Sequence, residues 1–400
     1  MNIFDRNMPL ILDGGLGTML HARGLSPGER PETWNLTRPE VLTEIHRAYL
    51  DAGAQVIATN TFGANRLNYP DNLREVIFAA VANARAAVGA GDALVALDVG
   101  PTGKLLAPMG DLALEEAIAL FRKIGELGAA AGADLFFIET MTDLAELRAA
   151  VLGLKEAAGL PIFASFSVEE SGRLMTGAPA VTAAVMLEGL GVAALGVNCG
   201  AGPERAAQVL PEICAATKLP VIAQPNAGLP VVRGGVTCFE LSPEDFAQGQ
   251  LANLRAGAAI LGGCCGTTPA HIQAMAQAVA SLSPLPPDPS RLIPICGCRD
   301  VMRLPAEIAE IDAQDWDDIV DEVLDLDDAL VACLNIDHME TPGEAVAYIQ
   351  QQVWRPLCFA GSDSAKLEAA LRAYTGRALV DYHGTDDIKA LIKYYGGELL

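Results

Sequence analysis

Positive charge is scarce in this chain of 400 residues: 27 lysines and arginines stand against 50 aspartates and glutamates, a formal net charge of −23. Such an acid excess repels phosphate backbones and anionic lipid, which argues against nucleic acid and membrane surfaces as partners and favours solubility. Long apolar runs are missing as well. Every hydrophobic stretch is short and interrupted, so none spans a bilayer. The start, Met1-Asn2-Ile3-Phe4-Asp5-Arg6, lacks a basic stretch followed by an apolar one, so no signal peptide is expected. Nine cysteines in a chain with 39 glycines do not make a secreted disulfide scaffold. A reducing cytoplasm is the expected setting for these thiols.

What is present is an alternation. Short apolar runs at Pro9–Asp13, Gln55–Asn60, Ala93–Asp98, Asp134–Glu139, Pro161–Ser165, Ala194–Asn198, Pro220–Gln224 and Ala258–Gly262 read as strands. Amphipathic segments such as Pro39–Ala52 and Leu114–Ala131 separate them, with the length a crossover helix needs. Ala-Gly-Ala recurs before strands, as at Ala131-Gly132-Ala133, and reads as a helix C-cap. Eight strands alternating with helices predict a (β/α)8 TIM barrel. That assignment puts Asp13, Asn60, Asp98, Glu139, Asn198 and Cys199 at strand C-termini, with Ser165, Ser167, Asn226, Cys264 and Cys265 close behind. In such barrels this is the face that carries chemistry. Asp98 and Asn60 read equally well as loop caps.

The sharpest motif is Gly262-Gly263-Cys264-Cys265-Gly266-Thr267-Thr268-Pro269, joined by the upstream Val197-Asn198-Cys199-Gly200. Adjacent cysteines are poorly placed to bridge each other. Three soft ligands on one rim suit a tetrahedral zinc that keeps its fourth position open. The plainer reading, three buried thiols acting as small hydrophobes, fits a lone cysteine better than this set.

Asp13-Gly14-Gly15-Leu16-Gly17-Thr18, Asn60-Thr61-Phe62, Ile138-Glu139-Thr140, Gly196-Val197-Asn198-Cys199 and the double-cysteine segment resemble the homocysteine S-methyltransferase family. Gly100-Pro101-Thr102-Gly103, Glu139-Thr140-Met141-Thr142-Asp143 and Gln224-Pro225-Asn226-Ala227-Gly228-Leu229 are most similar to the homocysteine domain of cobalamin-dependent methionine synthase. The resemblance covers roughly residues 5–283. It implies zinc held by Cys199, Cys264 and Cys265, which also makes these the catalytic residues. It further implies a homocysteine pocket involving Asp13, Glu139, Asn226 and the backbone amides of Gly14 and Gly15. The implied reaction is methyl transfer to the homocysteine thiol, giving methionine, from a methyl-corrinoid (methylcobalamin) on a separate protein. Two alternatives stay open: a small free donor such as S-methylmethionine or betaine, and a non-enzymatic protein that binds zinc or thiol amino acids.

Beyond the barrel, expected over residues 1–283, the proline-rich stretch 284–291 reads as a linker. Residues 292–400 read as a small α/β domain of four parallel strands, at Leu292–Cys296, Ala329–Asn335, Pro356–Ala360 and Ala378–Asp381, with helices over Ser364–Tyr374 and Asp386–Tyr394. This part faintly resembles a fragment of the pterin-binding barrel that follows the homocysteine domain in methionine synthase; docking is the alternative role. Asp381-Tyr382-His383 starts an Asp-x-His-x-x-Gly cobalamin signature, but Asp386 stands where glycine is needed. Cys296-Gly297-Cys298 reads as ordinary thiols, and the acidic stretch Asp312–Asp328 as a solvated helix face.

Overall fold

Eight parallel strands form the first sheet: β1 (Leu10–Ile11), β2 (Val56–Ala58), β3 (Leu94–Val99), β4 (Leu135–Met141), β5 (Ile162–Phe166), β6 (Ala194–Cys199), β7 (Val221–Pro225) and β8 (Ile260–Leu261). The structure is a computed structural model and describes residues 8–200, 202–233, 236–286 and 294–400. Neighbouring strands pair in order from β2 to β8, and β8 then pairs with β1. A parallel bridge between Leu12 and Val56 joins the two ends, with Gln55 N donating to Ile11 O at 2.8 Å. The expected (β/α)8 barrel is therefore what the chain builds.

The strands are buried on both faces because helices cover the outside while side chains fill the inside, so they read as continuous apolar runs. Leu10, Leu12, Val56, Ala96, Leu135, Phe137, Phe163, Ala194, Ile222 and Ile260 form one such cluster. Phe137 and Phe163 meet edge to face, with ring centroids 6.3 Å apart. Between β7 and β8 a hairpin pairs Val231–Arg233 with Val236–Cys238. Among the described residues, no helix is long and apolar enough to cross a membrane.

The chain divides into two compact units. The first comprises Met1–Gly172, Ala193–Cys214 and Leu219–Pro287; the second comprises Arg173–Val192, Ala215–Lys218 and Asp288–Leu400. The second unit holds a parallel sheet of five strands in sequential order: β9 (Glu307–Ile311), β10 (Leu330–Asn335), β11 (Leu357–Gly361), β12 (Leu379–Tyr382) and β13 (Glu398–Leu399). Three of the four expected strands are there, but the one assigned to Leu292–Cys296 is not part of this sheet. Pro294–Cys296 instead pairs antiparallel with Val301–Arg303, because a turn closed by Gly297 N to Asp300 O sends the chain back. Leu292 and most of the expected linker lie outside the described residues. β9 escaped notice because the glutamates of Glu307-Ile308-Ala309-Glu310-Ile311 break up the apolar run, a charge load that an edge strand tolerates.

Helix Ala180–Gly189 belongs to this second unit although it falls between β5 and β6 in sequence. Cys296 Sγ donates to its Thr182 carbonyl at 3.6 Å, and Cys298 Sγ points at the carbonyls of Gln350 and Thr375. No third metal-ligand side chain joins these two thiols among the described residues. The acidic helix Trp316–Leu324 buries Ile319, Val320 and Val323 and leaves acids such as Asp318 and Asp321 outside.

Candidate metal centre and substrate cavity

The C-terminal strand ends of the first unit surround a cavity of about 300 Å³. Four carboxylic acids line it, Asp13, Glu32, Asp98 and Glu139, together with the three cysteines Cys199, Cys264 and Cys265. No lysine, arginine or histidine is among its lining residues. A single wall thus combines soft ligands with acidic groups that have no basic side chain beside them.

The sulfur atoms of Cys199, Cys264 and Cys265 all lie within 4.8 Å of one another. Cys199 ends β6, while the other two follow β8 in the loop that β7 holds through Cys264 N to Pro225 O at 2.9 Å. Tetrahedral zinc with bonds of about 2.3 Å spaces its sulfurs roughly 3.8 Å apart, so the cluster fits this ion with small side-chain adjustments. The electrostatics agree. Hydrogen bonds from the thiols of Cys264 and Cys265 lower the pKa of Cys199 to about 3, while the same contacts push Cys265 up to about 12 and Cys264 well above a free thiol. Without a cation one sulfur carries charge and the others hold their protons; a dication removes the like-charge cost of ionising all three.

The carboxyl groups are strained in the same sense. Burial pushes Glu139 up to about 7, helped by the negative charge of Cys199 and offset by Gln224, whose Nε2 donates at 3.4 Å. Burial also raises Asp13, although Ala58 N donates to its Oδ2 at 2.8 Å and the charge of Glu139 adds to the shift. Glu32 is satisfied by Gly63 N at 2.6 Å and by the Tyr69 hydroxyl at 2.9 Å, which makes it a fixed part of the wall.

Asn226 does not line the cavity. Its Nδ2 donates to Gly200 O at 2.5 Å, its side chain hydrogen-bonds Cys199, and its Oδ1 is buried without a partner. Gly14 and Gly15 do line the cavity, but for a packing reason. A Cβ at Gly14 would lie 2.7 Å from Thr267 Oγ1 and one at Gly15 2.6 Å from Cys264 O. Gly15 N already donates to Thr267 Oγ1 at 2.9 Å. The two glycines let the first strand's turn lie against the cysteine loop. Of the rim serines, Ser165 is fully buried and donates to Asn198 Oδ1 at 2.9 Å, so it supports the site without facing it.

Sequence reasoning put Asn198 on the rim but missed what it does there, and missed its partners. Asn198 Oδ1 also accepts from Thr140 N at 2.8 Å, its Nδ2 donates to Thr140 Oγ1 at 2.7 Å, and the same nitrogen lies 3.9 Å from Cys264 Sγ. Thr267 Oγ1 donates to Cys264 O at 2.7 Å, and the Tyr49 hydroxyl reaches the carbonyls of Gly15 and Thr267. Thr140 and Cys199 have φ of 61° and 60°, the only positive values outside glycine among the described residues. A β-branched residue avoids that region, and strain of this kind collects where a structure over-determines a site.

The family model for homocysteine S-methyltransferase matches residues 10–279. The methionine synthases of Mycobacterium tuberculosis and Mycobacterium leprae are 36% identical over 303 residues and 35% over 307 residues. Each match takes in 68% of this chain but only 25% and 24% of the relative, so the chain spans about a quarter of their length. Among solved structures, the homocysteine methyltransferase MmuM from Escherichia coli aligns in its oxidized form with a TM-score of 0.59 at 28% identity, covering 69% of this chain and 98% of MmuM. Its metallated form gives 0.58 at 29% identity, covering 68% and 96%. On a match to more than half its residues, the chain belongs to the homocysteine S-methyltransferase family.

Proposed function

We propose that the cavity binds homocysteine and that the chain transfers a methyl group to its thiol, releasing methionine. The observation that carries this reading is the convergence of three thiols and a cation-free set of carboxylates on one cavity. Cys199, Cys264 and Cys265 are the residues that would hold zinc. The ion supplies thiol deprotonation at neutral pH, where a free thiol with a pKa of about 8.5 is mostly protonated. Three cysteine thiolates give the site a formal excess of negative charge, which favours a nucleophilic substrate sulfur over a polarised water.

The other residues bind and orient. Asp13 and Glu139 are anionic acceptors for the substrate ammonium. Gln224 holds Glu139 and donates to Gly263 O at 3.1 Å, tying the ammonium seat to the cysteine loop. Asn226 holds Cys199 in place through a side-chain hydrogen bond. In the transfer, the substrate sulfur forms the new bond to the methyl carbon, the bond between methyl and donor breaks with its electrons going to the donor, and the thiol proton is lost to solvent.

For the donor we propose a methyl-corrinoid presented by a separate protein, which the methionine-synthase-like motifs and the 35–36% identities support. A donor screen tests it. Zinc-loaded protein with homocysteine is mixed with a methyl-corrinoid, S-methylmethionine or betaine, and methionine is measured. Turnover with a small sulfonium or ammonium donor alone overturns the donor, and no methionine from any donor overturns the transferase. For the ligands, Cys264→Ser is expected to lose zinc by metal analysis while keeping the circular dichroism of a folded barrel. Stoichiometric zinc in a Cys264→Ser, Cys265→Ser double variant would refute the assignment.

A further inference from the structure

Asp98 is the cavity's unexplained acid. It is 6% exposed, lines the cavity at the end of β3, and its Oδ1 is sealed from solvent with no hydrogen-bond partner. Gln224 Oε1, also buried at a residue lining the cavity, is a second acceptor left without a donor. Buried polar atoms are ordinarily satisfied; burial and the neighbouring acids Glu139, Asp13 and Glu32 push the Asp98 carboxyl well above the usual carboxylate range, opposed only by the backbone N–H of Val99, so it holds its proton until a cation joins it. None is supplied by the lining residues.

The position of Asp98 is nonetheless fixed with care. Its backbone N donates to Thr59 Oγ1 at 3.2 Å, its carbonyl accepts from Thr61 Oγ1 at 2.7 Å, and the two hydroxyls meet at 2.7 Å. A threonine pair thus clamps the strand end on both sides of the residue. A backbone held this way fixes where the side chain starts, and in a wall with no basic side chain that placement suits a ligand that brings its own cation.

We propose that Asp98 is a specificity residue that completes, with Asp13 and Glu139, a three-carboxylate seat selecting thiols that carry a free primary ammonium. An ammonium has three N–H donors, one for each carboxylate, whereas thiol acids without the amine leave the seat uncompensated. This inference rests on the homocysteine reading above.

The test compares homocysteine with 4-mercaptobutyrate, the same thiol acid without its amine, by calorimetry on the zinc-loaded full chain. Wild type is expected to prefer homocysteine strongly; equal affinity for both, or none for either, refutes the homocysteine reading itself. Where that preference holds, Asp98→Asn is expected to weaken homocysteine roughly tenfold or more while leaving 4-mercaptobutyrate within about twofold, as loss of a charge-assisted hydrogen bond predicts. Unchanged preference in the variant, or equal loss for both ligands, overturns the role of Asp98 alone. Asp98→Ser repeats the comparison with a smaller side chain in case asparagine distorts the wall. If neither variant keeps wild-type zinc content and melting behaviour, Asp98 supports the fold and the proposal is overturned too.

Discussion

At the scale of single residues, the site is a problem of charge without counter-charge. Glu139 illustrates it: burial raises its pKa to about 7, and only Gln224 opposes the shift. An arriving ammonium favours the ionised form, so Glu139→Gln is expected to weaken homocysteine binding by about 1.5–3 kcal/mol, the range for a charge-assisted hydrogen bond. Zinc content should stay unchanged, and calorimetry beside metal analysis measures both. Untouched affinity would place the ammonium contact elsewhere. The three cysteines and the acids at strand ends were legible because their chemistry is unusual for their residue types. The bonds made by Asn198, and the parts played by Thr140 and Thr267, were not, since each acts through a neighbour, and nothing in an asparagine or threonine by itself announces a φ of 61° or a contact with a loop 66 residues away.

At the scale of elements, the barrel strands were readable from apolar runs with turn signals behind them, and the observed strands fall inside or within a residue or two of the expected ranges. Edge strand β9 was hidden by its two glutamates, which interrupt the apolar run. Helix Pro39–Asp51 shows a different kind of hidden feature. Its buried face is Leu42, Ile45, His46 and Tyr49, the spacing of a core-facing stripe. His46 sits in that stripe 1% exposed, with neither ring nitrogen hydrogen-bonded. Burial lowers its pKa from 6.5 to about 4, so the folded chain holds the ring neutral while the unfolded chain protonates it below 6.5. This histidine's contribution to stability is therefore intact above about pH 6.5 and is lost as pH falls towards 4. Between pH 8 and pH 5 the loss should be about 2 kcal/mol. Denaturant unfolding at both pH values, for wild type and His46→Leu, isolates it: the difference in stability between the two proteins should shift by about that amount in favour of the variant at pH 5. A pH-independent difference would mean the ring takes up its proton without cost.

At the scale of the whole molecule, the linker was the best boundary that composition offered, yet the second unit reaches back across it. Three stretches of chain make that unit, Arg173–Val192, Ala215–Lys218 and Asp288–Leu400. Their contacts are specific: Arg303 donates to Ala215 O at 3.0 Å, Cys296 to Thr182 O, and a Cβ at Gly189 would stand 2.5 Å from the carbonyl of Gly396. Proline content marks a break between elements, but it carries no sign of which earlier helix the later residues will pack on. A chain ending at Ser283 keeps all eight barrel strands and all three clustered cysteines, and it removes the partners of helix Ala180–Gly189. Uncovering even two aliphatic side chains costs about 3–6 kcal/mol, a large part of the roughly 5–15 kcal/mol that holds a domain folded. The truncated chain is therefore expected to melt about 6 °C or more below the full chain. Differential scanning calorimetry on both, each loaded with zinc, measures the shift. Melting within about 2 °C of the full chain would show that the helix holds its place without residues 284–400, and that those residues add nothing to the stability of the rest of the chain.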